Sequence, residues 1–383
     1  MGEKALMYLY YYTNVETMRC ILKGADIYAT NLQYMNDSEE YANGLKELRV
    51  IFNKNYELWK KQQLENQIES DKSILIDEEK LQKELEREVS VYSISFSESR
   101  DLLSQWSMYA GESGVSLKLK FENNETYMTY FEKNEDGAKN LKPINDENFA
   151  NRKYQPEKVF YCTKDAMKDT DYDVAEKEIW EKICKNENKN TVNDLEGNYT
   201  QLWKRYAPYV KRVEFKAEKE HRLVFDRMEI PYGKNVRIDY RNSGNVLKSY
   251  MDIVCKNGWP IHEIIVGPGF NQDAVYRSIL FFLNNDTTLK AGKLDNEVFF
   301  RRCEEYFEVC GKLPEKLLAI WENKKDKFKC KNLEEAYMLW NMIYEDMKQS
   351  MKKENLVWYN KLNNTVLTSK GIILSKSRIP YIY

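Results

Sequence analysis

The sequence lacks most of the motifs on which the common enzyme classes depend. Its 383 residues include only two histidines, so a serine–histidine or cysteine–histidine mechanism would have to use His221 or His262. It contains no P-loop, no Rossmann glycine fingerprint, no G-x-S-x-G and no H-E-x-x-H. These absences leave the corresponding nucleotidase, dehydrogenase, esterase and zinc-protease chemistries without a basis in the sequence.

Strong net charge, long apolar runs and paired cysteines are also missing. The 59 basic and 61 acidic residues nearly cancel, which argues against broad electrostatic binding of nucleic acid. No run reaches the roughly 18 apolar residues of a membrane span, so no membrane partner is expected. The seven cysteines form no C-x-x-C pair, which argues against a zinc site or a disulfide framework and favours a cytoplasmic location.

Apolar residues are abundant enough for a substantial core, at 42% of the chain with 13% aromatics. Short alternating strands are interleaved with helical stretches without βαβ regularity, which predicts an α+β fold. We expect one β-rich core domain spanning 1–286 plus 366–383, with helical insertions at 52–90 and 165–211. A helical appendage at 287–365 is predicted to precede the terminal strand.

Three polar clusters on predicted strands are the candidates for chemistry. The first is Tyr12 and Thr13, at the end of the opening strand. The second is "YSISFSES", where alternation places Ser93, Ser95 and Ser97 on one face. Small hydroxyl side chains on one face leave room for a ligand, but the same face could simply meet solvent.

The third cluster is Phe215–Phe225, "FKAEKEHRLVF", which we interpret as part of one long strand. Residues two apart on a strand share a face, so Glu218, Glu220 and Arg222 are expected on the same side. Two interpretations remain open: an exposed cross-strand ion-pair network, or two carboxylates aimed into a pocket.

Several stretches together resemble the bacterial domain-of-unknown-function family 2971. The pattern comprises N-D-x-x-E, S-F-S, W-x-x-Y-x-x-x-x-G, E-x-E-x-R and I-x-G-P, in this order along most of the chain. These motifs lie in "LKGADIYATNLQYMNDSEEY", "SISFSESRDLLSQWSMYAGESGVSLKL", "FKAEKEHRLVF" and "EIIVGPGFNQDAVYRSIL", and "SKSRIPY" closes the resemblance. Ser38 stands where the family usually has proline. The resemblance implies a common fold unit more than an activity.

The order of the polar clusters also resembles that of ADP-ribosyltransferases, with mixed sheets as the implied core. Those enzymes use a polar or aromatic residue on a first strand, then Ser-x-Ser, then Glu-x-Glu. Here the order is Tyr12–Thr13, Ser95–Ser97 and Glu218–Glu220, although Arg or His is more usual at the first position. The resemblance implies Glu220 as the catalytic carboxylate and Glu218 as the acceptor-side or positioning carboxylate.

On the same resemblance NAD is the expected co-substrate. Cleavage of the nicotinamide–ribose bond passes through an oxocarbenium-like state that a carboxylate can stabilise. The residues implied in binding NAD are the serines for the ribose, aromatic rings for stacking and an arginine for the pyrophosphate: Ser95, Ser97, Tyr12, Thr13, Trp106, Tyr109 and Arg222. Trp106 and Tyr109 are alternatively core residues.

A second hypothesis starts from "MNDSEE". Asp37 and Glu39, together with Glu40, could hold Mg²⁺, which needs only one or two carboxylates plus water. With Glu218 and Glu220 they would form the centre of a metal-dependent nuclease or phosphodiesterase. The same acids could instead only stabilise the start of a helix.

A third hypothesis is a non-enzymatic nucleotide-sensing or protein-binding module. The helical stretch at 295–360 would then bind a protein partner or mediate self-association.

For the first hypothesis, the ADP-ribosyltransferase-like enzyme, we expect an NAD-consuming toxin or effector of bacterial antiphage defence. Its partners would be a small-molecule nucleotide and a protein or nucleic-acid acceptor.

Overall fold

The computed structural model describes most of the chain outside the segment from 290 to 364. The described residues are 7–35, 39–65, 78–85, 89–110, 114–121, 126–131, 140–144, 154–186, 205–230, 235–286, 288–289, 365–367 and 372–379. The chain divides into two compact units. Unit 1 comprises residues 1–26, 99–122 and 257–383, and unit 2 comprises residues 27–98 and 123–256.

The described elements are helices and short strands in mixed order, which confirms the α+β class. The strands are β1 Met7–Asn14, β2 Ile27–Asn31, β3 Val91–Ser97, β4 Gly114–Phe121, β5 Tyr127–Phe131, β6 Asn140–Pro143, β7 Glu157–Lys158, β8 Phe160–Tyr161, β9 Val210–Lys211, β10 Glu220–Asp226, β11 Asp239–Ser243, β12 Val246–Cys255, β13 Ile261–Val266, β14 Thr365–Leu367 and β15 Ile373–Lys376. The helices are α1 Val15–Leu22, α2 Glu40–Glu65, α3 Glu78–Leu85, α4 Leu103–Gln105, α5 Asp169–Asn186 and α6 Gln272–Asn285. None of these described helices is long and apolar enough to cross a membrane.

In unit 1 the strands follow the order β14–β15–β13–β4–β1. The β13–β15 pair is parallel and the other pairs are antiparallel. β1 pairs along its whole length with β4, so that Tyr12 lies opposite Ser116. A π-helical turn, Trp106–Ala110, directly follows α4.

In unit 2 the strands follow the order β6–β5–β12–β2–β3–β10–β7, and β11 lies alongside β12. β3 and β10 are antiparallel over seven residue pairs, with Ser95 opposite Arg222 and Ser97 opposite Glu220. Opposite residues in an antiparallel pair point to the same face. The serines of β3 and the charged residues of β10 therefore share one face of this sheet.

Helices α2, α3 and α5 form the helical layer of unit 2. α2 buries Leu45, Leu48, Ile51 and Phe52, at the spacing that places side chains on one side of a helix. They pack in one apolar cluster with residues of α5, β3 and β10. Phe52, the first residue of the helical insertion predicted at 52–90, is thus part of a buried core.

Two sequence-based boundaries differ from the structure. The long strand predicted around "FKAEKEHRLVF" starts only at Glu220, because Val213–Glu218 forms a 3₁₀ turn. The predicted helical stretch up to residue 211 ends in a 3₁₀ turn, Ala207–Tyr209, followed by β9. The division into one core domain with insertions stays a prediction, and the appendage at 287–365 lies almost entirely outside the described residues.

Candidate functional site

Five charged side chains meet on the buried face of unit 2. Glu40 is the first residue of α2, Lys211 ends β9, Glu218 ends the 3₁₀ turn, and Glu220 and Arg222 lie on β10. Each is at most 5% exposed. We call this group the charge cluster. Its burial rules out the interpretation of Glu218, Glu220 and Arg222 as a solvent-exposed ion-pair network.

Arg222 holds the cluster together through all three guanidinium nitrogens. Its Nε and Nη2 donate to the two carboxylate oxygens of Glu220 at 2.7 and 3.0 Å, and Nη2 also donates to Glu40. Its Nη1 donates to the Pro208 carbonyl at 2.6 Å. Bidentate arginine–carboxylate pairs are both strong and geometrically specific. Arg222 therefore fixes the position of Glu220.

The Pro208 carbonyl reaches Arg222 because the 3₁₀ turn Ala207–Tyr209 lies directly against α2. The turn and α2 approach most closely at Gly44, where an added Cβ atom would lie 2.4 Å from the Ala207 carbonyl oxygen. Only glycine permits a contact this close between two backbones. Gly44 thus helps to place one acceptor of the Arg222 guanidinium.

Lys211 binds all three carboxylates of the charge cluster. Its Nζ lies 2.8 Å from Glu218, 2.9 Å from Glu220 and 3.3 Å from Glu40. The same ammonium group lies 4.8 Å from the ring centroid of Phe215, a favourable cation–π distance. Lys211 is thus the shared counter-ion of the two glutamates that the sequence singled out.

A strained residue between the two glutamates lets both reach this lysine. Lys219 has φ 46° and ψ 51°, a left-handed conformation that is uncommon outside glycine. The Ser97 hydroxyl donates to the Glu218 carbonyl at 2.6 Å, and the Glu220 amide donates to the Tyr161 hydroxyl at 2.7 Å. These bonds hold the turn on both sides of Lys219.

The serine face of β3 is turned towards the charge cluster. Ser93 and Ser97 are buried, so the interpretation of this face as solvent-exposed is wrong. Ser95 lies opposite Arg222. The structure thus brings Ser95 and Ser97 together with Glu218, Glu220 and Arg222.

The two glutamates differ in their protonation. Burial alone would raise the pKa of Glu220, but the charges of Arg222 and Lys211 outweigh it and lower that pKa to about 2. Burial raises the pKa of Glu218, against the opposing effect of Lys211. Burial also acts against the charged forms of Lys211 and Arg222, yet the surrounding carboxylates raise both pKa values. Glu220 is therefore firmly ionised, whereas Glu218 is the carboxylate that most readily takes up a proton.

The aromatic candidates belong to unit 1 and form a separate hydrogen-bonded group. The Tyr12 hydroxyl donates to the Ser99 carbonyl at 2.7 Å and accepts from the Leu102 amide at 3.1 Å. The Tyr12 ring meets Trp106 edge-on at 4.7 Å. Trp106 Nε1 donates to Asp101 at 2.7 Å. Tyr12 and Trp106 are thus core residues of unit 1.

The remaining members of this group pack around the same tryptophan. Tyr109 is half-buried against the cluster formed by Tyr12 and Trp106, while Thr13 is buried on β1. A Cβ atom at Gly267 would stand 2.8 Å from the Trp106 ring, so the glycine of I-x-G-P is needed for this packing. Two stretches of the resemblance pattern therefore meet within unit 1.

The metal hypothesis has less structural basis. Asp37 lies outside the described residues, and Glu39 is exposed. Across the described part of the chain, no group of three or more histidine, cysteine, aspartate or glutamate side chains is arranged to hold a metal ion. In the charge cluster, Lys211 and Arg222 supply the positive charge that a metal would bring.

Two residues of the charge cluster were missed by the sequence analysis in their actual role. Lys211 lies at the end of a stretch that was predicted to be helical, and no local pattern marks it. Glu40 was noted only as a possible Mg²⁺ ligand beside Asp37 and Glu39, or as a helix-start acid. One sequence feature could have linked Glu40 to the glutamates of β10. Glu40 is the glutamate of N-D-x-x-E, and this motif belongs to the same resemblance pattern as E-x-E-x-R.

Comparison with protein-family models, with curated proteins and with solved structures finds no match to this chain.

Proposed function

We propose that the chain is an NAD-consuming enzyme of the ADP-ribosyltransferase type and that the charge cluster of unit 2 is its reaction centre. One observation carries the proposal: among the residues that the structure describes, three buried carboxylates, Glu40, Glu218 and Glu220, face two cations, Lys211 and Arg222. With all groups ionised the cluster has one unmatched negative charge. A buried negative charge of this kind stabilises a cation that develops beside it.

The proposed reaction generates such a cation. The bond between the ribose C1′ and the nicotinamide nitrogen breaks, and its electron pair leaves with nicotinamide. The ribose carries the positive charge until an acceptor oxygen or nitrogen forms a new bond to C1′. The acceptor then loses a proton. Water as the acceptor gives hydrolysis, and a macromolecular side chain or base gives ADP-ribosyl transfer.

The two glutamates have different roles in this proposal. Glu220 stays ionised and is oriented by Arg222, so it supplies the fixed negative charge beside the ribose. Glu218 has a raised pKa, which suits a base that accepts the proton from the acceptor. Arg222 is then a positioning residue, since its guanidinium is bound to protein acceptors.

The burial of both glutamates adds a structural requirement. The 3₁₀ turn Val213–Glu218 must move for a substrate to contact them. Along this turn Glu214, Lys216 and Ala217 are exposed, and 3₁₀ turns have weaker hydrogen-bond geometry than α-helices. The turn therefore separates Lys211 from solvent by a single exposed segment that ends at Glu218 itself. Its amides should exchange with solvent faster than those of the adjoining β10.

The test is release of nicotinamide from NAD by the purified protein, followed by chromatography. We expect Glu218→Gln to lower the rate about 100- to 10,000-fold, as for removal of a general base. Glu178→Gln is the matched control, because Glu178 is an exposed glutamate of α5 in the same unit. Equal rates for the Glu218→Gln and Glu178→Gln variants would refute the proposal.

A second candidate is a non-enzymatic nucleotide-binding module. It is favoured by the full pairing and burial of Glu220, which are also properties of structural ion networks. On this alternative the protein binds nucleotide without consuming it, and Glu218→Gln changes neither binding nor turnover. Addition of EDTA in the same assay addresses the metal-dependent hypothesis, since chelation would abolish an activity that needs Mg²⁺.

A further inference from the structure

The exposed end of the unit 2 sheet combines an aromatic pair with two neighbouring cations. The residues are Tyr28 of β2, Arg241 of β11, and Lys248 and Tyr250 of β12. Arg241 lies directly opposite Lys248 in the antiparallel register. Tyr250 and Lys248 are two residues apart on one strand, so they share a face. We call this group the tyrosine–arginine face.

The aromatic part of this face is already assembled. The rings of Tyr28 and Tyr250 lie 4.1 Å apart at an interplanar angle of 30°. Tyr28 remains 40% exposed, whereas Tyr250 is only 8% exposed. A buried tyrosine thus supports an exposed one. This arrangement fixes the orientation of an aromatic surface on which a planar ring can stack.

The arginine is fixed beside the same ring. Arg241 Nη2 donates to the Thr30 hydroxyl at 3.0 Å, and its guanidinium carbon lies 5.7 Å from the Tyr28 ring centroid. An immobilised guanidinium loses less side-chain entropy when it binds an anion. The Arg241 side chain, which crosses β12 to Thr30, is therefore already held in position before a ligand binds.

The lysine opposite it has no counter-ion in the part of the chain that the structure describes. Like charges directly opposite each other in a sheet are destabilising, and both burial and Arg241 lower the pKa of Lys248. Among the described residues, Lys248 takes part in no ion pair or hydrogen bond. The acids of the same face lie beside the aromatic pair: Asp239 is opposite Tyr250 and pairs with Arg237, and Asp252 is opposite Tyr28. An anion beside Arg241 and Lys248 would remove the repulsion between them.

We propose that the tyrosine–arginine face binds a nucleoside phosphate, with its base stacked on Tyr28 and its phosphate between Arg241 and Lys248. The ligand is either a free nucleotide or one unit of a single-stranded nucleic acid, because both present the same ring and phosphate. This inference does not depend on the proposed function, since binding can be measured without turnover.

The test is fluorescence anisotropy with a labelled ten-nucleotide oligothymidylate, with competition by unlabelled AMP and NAD. We expect Tyr28→Ala to weaken binding roughly 5- to 150-fold, the usual effect of losing one stacked base. Tyr28→Phe should retain the affinity because it keeps the ring. Competition by AMP or NAD at low concentration would assign the face to a free nucleotide, and its absence to a single strand.

Two matched controls keep the assignment specific. Tyr240 is 58% exposed on the same hairpin but points to the opposite face, so Tyr240→Ala should leave binding unchanged. Lys248→Ala should reduce the slope of log affinity against log salt by about 0.7, the contribution of one phosphate contact in a single strand. Lys168→Ala, at an exposed lysine elsewhere in unit 2, should not.

The outcomes that overturn the proposal are defined by the same measurements. Equal losses for Tyr28→Ala and Tyr240→Ala would place the binding elsewhere. The proposal also fails if no probe binds to the wild-type protein, or if Lys248→Ala leaves the salt slope unchanged. Circular dichroism of each variant shows that a loss of binding is not a loss of folding.

Discussion

Replacement of Arg222 by methionine should strongly destabilise unit 2. The change removes the donor of two bonds to Glu220, one to Glu40 and one to the Pro208 carbonyl. Glu220 and Glu40 then stay buried with only Lys211 to neutralise them. Breaking a buried ion pair on one side typically costs about 3–5 kcal/mol. Because Arg222 serves two carboxylates, we expect a loss of about 4–5 kcal/mol.

Urea denaturation with linear extrapolation measures this loss. Arg19→Met is the matched control, since Arg19 also forms a two-nitrogen pair with one carboxylate, Glu16, but at the exposed surface of unit 1. Exposed pairs of this kind add little, so the free energy of unfolding should be unchanged. Replacing Glu220 by leucine together with Arg222→Met should recover part of the loss, because it removes one unpaired carboxylate. A loss below about 1 kcal/mol for Arg222→Met, or no recovery, would refute the described role of the cluster.

Three further predictions concern the two glutamates and the turns that place them. The pKa of Glu220 is lowered to about 2. Ionised Glu220 therefore stabilises the fold above its unfolded pKa of about 4.3, and this stabilisation is lost as pH falls towards 2. Glu220→Gln should lower the free energy of unfolding at pH 7 but not at pH 2. The pKa of Glu218 is raised, so its contribution is present at low pH and lost as pH rises through the folded value; Glu218→Gln should therefore not destabilise the protein at pH 7, and the opposite ranking of the two variants would contradict these assignments. Gly44→Ala should cost about 1–3 kcal/mol by displacing the turn at Ala207, and an unchanged urea midpoint would show that the turn is not held there. Lys219→Val places a β-branched residue in a left-handed conformation and should destabilise, whereas Lys219→Gly should not; equal midpoints for the two variants would contradict the strain at this position.

The strands of the candidate site were predictable because their own sequence alternation defines them. β3 is rich in β-branched and aromatic residues. Ser95 and Ser97 lie on the same face as Glu220, and the site that these residues would form stays a prediction. The same alternation wrongly predicted a strand conformation for Glu218, which ends a 3₁₀ turn. The alternation continues without a break through Lys219, whereas hydrogen bonds with distant residues, Ser97 to Glu218 and Glu220 to Tyr161, hold the turn around the left-handed residue.

The counter-ions of the site could not be predicted from local patterns. Glu40 and Arg222 are 182 residues apart in the chain, and their contact depends on how α2 packs on the sheet. Lys211 lies on a strand of two residues, which is too short to show any periodicity. Whether a charged strand residue is exposed or buried depends on what covers it. "EKEHR" contains no information on that cover.

The measurement that tests the central claim most directly is nicotinamide release from NAD by the wild-type protein and by the Glu218→Gln and Glu220→Gln variants. The Glu218→Gln variant is the decisive one, because it is expected to fold as the wild-type protein does at pH 7. The proposed reaction centre predicts release by the wild-type protein and a loss of about 100-fold or more in this variant, the usual effect of removing a general base. Release at the wild-type rate by a folded Glu218→Gln protein, or no release by the wild-type protein with water, protein and nucleic-acid acceptors present, would contradict it.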